Sequence, residues 1–120
     1  MSQLPDFDPP SWIREFREDG AEAEVREIVG AFVGENERRL EPLRLAVAAG
    51  DLTTIASLAH ATKGSAGSFG APRLHALAVE LEARALAGQV ADAAALAAEI
   101  EVATARTHAA AMTYLGAGTS

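Results

Sequence analysis

Apolar positions recur at three- and four-residue intervals along the chain, with no period-two alternation and few β-branched runs, so helices are predicted throughout. Asp8 ahead of Pro9 and Pro10 reads as an N-cap with a proline-tolerant first turn. Trp12, Ile13 and Phe16 then supply the core contacts of a short lid helix closed by Asp19-Gly20. From Ala21 to about Ala49, residues Val25, Ile28, Val29, Phe32, Leu40, Leu43 and Val47 keep helical spacing, and Gly50-Asp51 gives a C-cap followed by the next N-cap. Pro42 should kink or briefly break this run. A third helix is predicted from about Leu52 to Phe69, ended by Gly70, and Pro72 stands where a first-turn proline opens a fourth. Leu74, Leu77, Ala78, Leu81 and Ala85 form the stripe of that fourth helix, which Gly88 ends. A fifth runs from about Val90 to Leu115 with Ala93, Leu96, Ala97, Ile100, Thr104, Thr107, Ala111 and Tyr114 inward. Short connections make neighbouring helices antiparallel, so the expected fold is all-α: an up-down four-helix bundle with a short N-terminal capping helix. One domain over residues 1–120 is expected, with short flexible ends at about 1–7 and 116–120.

Composition narrows the function classes. Cysteine is absent, which removes disulfide frameworks, thiolate metal sites and cysteine nucleophiles and favours a cytoplasmic protein. The first twenty residues carry several carboxylates and no apolar run, which argues against a secretory signal, and no long uncharged apolar stretch argues for a membrane span. A formal net charge of −7 opposes nucleic acid or an anionic membrane as the main partner. The charge is uneven: eleven of the seventeen carboxylates lie before residue 42, whereas Leu52 to Val79 contains none and holds Lys63 and Arg73. That reversal marks the middle of the chain as the place to seek an anion.

On the third helix, Ile55, Leu58, Ala59, Thr62, Ala66 and Phe69 make an ordinary core stripe. The opposite face carries His60, Lys63, Gly64 and Gly67 at spacings i, i+3, i+4 and i+7, all within one solvent-facing arc. Two glycines there cost on the order of 1 kcal/mol each relative to alanine. Access explains them: side chains that would block another protein from reaching the imidazole are missing. Lys63, the single lysine beside nine arginines, can set an ammonium near an anion on the ring. A neutral imidazole is a competent nucleophile near neutral pH, and its phosphorylated form keeps a high transfer potential.

At these residues the chain resembles the histidine-containing phosphotransfer family. The family's motif, His-x-x-Lys-Gly-Ser-x-x-x-x-Gly-Ala followed by Leu-x-x-Leu-x-x-x-Leu-Glu, stands here as His60, Lys63, Gly64, Ser65, Gly70, Ala71, Leu74, Leu77, Leu81 and Glu82. Phe7-Asp8-Pro9, an acidic second helix and Ala49-Gly50-Asp51 follow the same order. Thr62 stands where a larger apolar residue is common, and Gly67 where a small side chain is. The resemblance implies that His60 is the phosphoacceptor, Lys63 the phosphate-stabilising cation and Gly64 the opening for access. It implies that Glu82 hydrogen-bonds and orients the imidazole, leaving Nε2 free to attack. It further implies a phosphorelay carrier, not an enzyme, that passes a phosphoryl group between receiver aspartates of response regulators and hybrid histidine kinases. No cofactor is expected on the chain itself, because the receiver partner supplies the divalent metal.

His75 and His108 lack a nearby lysine and an exposed glycine and read as ordinary surface residues, although His75 could border the receiver-binding surface. Ser65 and Ser68 read as helix-end hydrogen bonders. The Gly64 to Gly70 stretch is no Walker loop, since no Gly-Lys-Ser/Thr follows it, and no ATP-binding signature supports a kinase. The acidic run from Glu15 to Glu27 reads as a solvated face. A metal-binding bundle would need Glu-x-x-His pairs, and none of the three histidines has a glutamate three residues before it. A helical module that only docks or sequesters receivers is the remaining alternative, opposed by the intact His60 and Lys63. A monomer is expected, and the initiating Met1 with complete capping favours a stand-alone protein.

Overall fold

The structure, a computed structural model, describes residues 4–117. They form six helices: α1 (Ser11–Glu18), α2 (Glu22–Arg38), α3 (Leu40–Ala49), α4 (Leu52–Phe69), α5 (Pro72–Leu86) and α6 (Val90–Ala117). Where one helix was expected over 21–49 there are two, divided at Arg39. Proline at 42 has no N–H for the Arg38 carbonyl and its ring crowds that carbonyl, so the break falls one turn before the proline. Arg39 N–H donates to Asn36 O, a tightened turn that closes α2, and Leu43 N–H donates to Arg39 O, which opens α3.

The α4 and α5 boundaries follow the sequence reading. Asp51 caps α4 by accepting from the Thr54 N–H at 3.1 Å and from the Thr54 hydroxyl at 2.5 Å, two bonds that hold its carboxyl below the usual carboxylate range. Gly70 ends α4 in the left-handed conformation at φ 81°, and Pro72 begins α5. These two helices make the most extensive pair in the fold, with α6 packed next on α5. Their facing positions are small: Ala59, Ala66, Ala78 and Ala85 are buried with Ile55, Leu74 and Leu81 between them. Small side chains let the two axes approach closely, so polar groups on the hairpin's outer edge can meet across it.

The N-terminal segment departs from expectation. The lid helix starts at Ser11 with Pro10 as an N-cap lacking a side-chain bond, because Asp8 and Pro9 each precede a proline and are kept extended. Asp8 instead donates its N–H to Gly70 O at 2.6 Å and pairs with Arg14 at 2.9 Å. Ile13 is the buried residue of α1, whereas Trp12 and Phe16, expected in the core, are 38% and 45% exposed. Trp12 lies edge-on to Phe69 and donates its indole N–H to Ser68 O, so it seals the end of α4 from outside. Of the expected flexible ends, residues 1–3 and 118–120 lie outside the described residues. Pro5 and Asp6 are tied down, with Pro5 O accepting from Arg73 N–H and Asp6 O from the Thr107 hydroxyl, while Phe7 packs edge-on against Tyr114.

Candidate functional site

Residues His60, Lys63 and Gly64 sit one turn apart in the middle of α4, on the face turned away from Ile55, Ala59 and Ala66. The imidazole of His60 is 69% exposed. Glu82 reaches it from α5: His60 Nδ1 lies 2.9 Å from Glu82 Oε2, and Lys63 Nζ lies 2.7 Å from Glu82 Oε1. One carboxylate therefore meets both α4 groups, one oxygen to each. Because a carboxylate only accepts, Nδ1–H is the donor to Glu82, and in the neutral ring the lone pair is then on Nε2. The Lys63 ammonium first, and the His60 ring second, hold the Glu82 carboxyl below the usual carboxylate range. The acceptor is thus ionised throughout the neutral range.

Gly64 leaves open space on this face, since a Cβ there would meet nothing within 4 Å. Gly67 does not. A Cβ at 67 would stand 3.2 Å from His75 Nδ1 and 3.4 Å from His75 Cε1, so this glycine seats the His75 ring. His75 Nδ1 lies 3.0 Å from the Lys63 carbonyl, which makes Nδ1 the donor. The reading of His75 as an ordinary surface residue is therefore corrected: it is half-buried and bonded into α4. His108 pairs with Glu37 at 2.7 Å on a half-exposed surface.

A second polar cluster lies on the α2 side of α4 and was not foreseen. Asn36 is buried at 3% exposure, donates to Phe32 O and accepts from Arg39 and Ser65. Arg39 also donates to the Ser65 hydroxyl, so the α2–α3 break is stitched to α4 just past the His60 turn. Ser65 is a hydrogen bonder, as expected, with Thr62 O as a further acceptor.

A family model described as the Hpt domain matches residues 27–110, which span α4, α5 and the site between them. The chain belongs to the Hpt domain family. It is similar to the phosphorelay protein LuxU of Vibrio cholerae serotype O1, with 37% identity over an 86-residue alignment that covers 68% of this chain and 76% of LuxU. Its fold is similar to the crystal structure of histidine-containing phosphotransfer protein B from Pseudomonas aeruginosa PAO1. That match has a TM-score of 0.80 and 28% identity, over 93% of this chain and 96% of the other. Membership of the Hpt family places the chain in two-component phosphorelay signal transduction. Among the described residues no helix is long and apolar enough to cross a membrane, and no group of three or more His, Cys, Asp or Glu could hold a metal ion.

Proposed function

We propose that this Hpt chain is a phosphorelay intermediate that accepts a phosphoryl group on His60 Nε2 from a receiver aspartate and passes it to a second receiver. The observation that carries the proposal is the Glu82 carboxylate between His60 and Lys63, because it fixes the ring nitrogen that is free to react. In the accepting step the Nε2 lone pair attacks phosphorus of the receiver's aspartyl phosphate. The N–P bond forms as the P–O bond breaks, and the aspartate leaves as a carboxylate. The ring gains positive charge, which the Glu82 carboxylate faces at Nδ1–H. Lys63, whose ammonium is one helical turn away, offers a cation to the phosphoryl oxygens. The return step is the same path reversed, with a carboxylate oxygen of the second receiver as nucleophile.

In this reading the chain is a carrier, not an enzyme; it binds no nucleotide, and the divalent metal belongs to the receiver. Gly64 leaves room for the partner's active site. We take residues 1–120 as one cytoplasmic, monomeric domain. Its α2 with α3, α4, α5 and α6 serve as the arms of an up-down bundle, and α1 covers one end. Receivers dock on the exposed face of α4 and the adjoining α2–α3 arm.

Transfer tests the reading. A panel of receiver domains phosphorylated by labelled acetyl phosphate is mixed with the wild-type chain, His60→Gln and Lys63→Ala. The expected result is acid-labile, base-stable label on the wild type, none on His60→Gln, and roughly tenfold slower labelling of Lys63→Ala. Docking without label across the panel, with the fold intact, would replace the carrier by a module that sequesters receivers.

A further inference from the structure

We propose that His75 is a positioning residue for phosphotransfer, seated in the notch that Gly67 leaves and bonding the Lys63 turn of α4 to α5. The inference rests on the phosphotransfer reading and adds to it the group that fixes where the Lys63 ammonium stands.

Glycines at 64 and 67 weaken the α4 turn that carries Lys63, each by about 1 kcal/mol relative to alanine. The first is explained by open space. The second is explained by the His75 ring, whose Nδ1 and Cε1 lie 3.2 and 3.4 Å from where a Cβ would stand, so that a side chain at 67 would press on the ring. The same ring donates Nδ1–H to the Lys63 carbonyl at 3.0 Å. Position 75 is the fourth residue of α5, beyond a two-residue connection, and its side chain bonds back across the hairpin to α4. Gly67 and His75 each lie four residues from Ala71, and His60 and Glu82 each lie eleven from it. The hairpin therefore mirrors its two helices about Ala71, and His75 meets Gly67 two helical turns nearer the connection than Glu82 meets His60.

Lys63 is thus held at both ends: its carbonyl by His75 and its ammonium by Glu82. A lysine side chain loses much rotamer freedom on being fixed. Anchoring its backbone lowers the cost of presenting the charge where a phosphoryl group on His60 forms. His60 Nδ1 bonds Glu82 whereas His75 Nδ1 bonds the Lys63 carbonyl, so the effect of His75 passes through Lys63.

The test uses the full chain and phosphoramidate, a small phosphoryl donor that needs no partner. Rates are measured where every variant is folded by circular dichroism. His75→Ala is expected to slow phosphorylation about fivefold, and His75→Asn, whose amide N–H occupies the place of Nδ1, to stay within about twofold of wild type. In a Lys63→Ala background, His75→Ala should add less than about a twofold loss, since two residues acting through one group are not additive. Unchanged rates in His75→Ala, or an equal loss with and without Lys63, overturn the positioning role while leaving the carrier intact. Labelling that persists in His60→Gln overturns the carrier reading and this inference with it.

Discussion

Gly70→Ala is expected to lower stability by about 3 kcal/mol or more and the melting temperature by roughly 10 °C. Two causes add. The residue sits at φ 81°, where an L side chain costs about 1–2 kcal/mol. A Cβ there would also lie 2.0 Å from the Asp8 carbonyl oxygen and 2.9 Å from Pro10 Cδ, so the N-terminal strap would have to lift away. That movement breaks the Asp8 N–H bond to Gly70 O and loosens the packing of Ile13 in the core. Gly88→Ala separates the causes. Its φ is 76° but a Cβ would meet nothing within 4 Å, so it should cost only about 1–2 kcal/mol. Chemical denaturation of both variants measures the difference, and equal losses would show that the strap does not depend on glycine at 70.

Glu82→Ala should reduce phosphoryl transfer by about tenfold or more, whereas Glu82→Gln should stay within about threefold of wild type. Alanine removes the acceptor that fixes the Nδ1–H tautomer, and it releases Lys63 as well. Glutamine keeps a carbonyl oxygen for Nδ1–H but no charge for Lys63. The variants also separate in acid. Glu82 is held below its ordinary value by Lys63 and then His60, so its contribution to folding is complete above the ordinary glutamate range near about pH 4.3 and is lost as pH falls through the lower folded value. Wild type should accordingly lose stability across that acid window more steeply than Glu82→Gln. Carbon NMR of the Glu82 carboxyl should show a titration below that of an unpaired glutamate, and an ordinary midpoint would contradict the pairing.

Much of this fold was legible because glycine and proline mark its edges. Gly50, Gly70 and Gly88 close helices at positive φ, and Pro72 opens one, so α4, α5 and the start of α6 stand where the sequence put them. Pro42 was equally visible, yet its effect appears at Arg39, because proline disturbs the carbonyl four residues earlier. The lid helix was misread for a local reason. Two consecutive prolines extend the backbone before them, which leaves Asp8 too early to cap and turns Trp12 outward against Phe69.

The site divides in the same way. His60, Lys63 and Gly64 share one helix face, and helical periodicity alone gathers them. Glu82 came from family resemblance, and His75 was missed, because contacts between helices depend on hairpin register and not on period. Reflection about Ala71 would have paired both with α4, given that a two-residue connection leaves little freedom for slippage. Asn36 carried no such signal; a polar residue on an apolar stripe is visible as an exception, but its partners Arg39 and Ser65 come from the break at Pro42.

The most direct test of the central claim is the identity of the phosphorylated nitrogen. After transfer from a phosphorylated receiver, proton–phosphorus correlation NMR distinguishes a phosphoryl group on Nε2 from one on Nδ1. The account predicts a single product on Nε2 of His60, with Nδ1 still protonated against Glu82. Phosphorus on Nδ1, or on His75, His108 or any other residue, would contradict it.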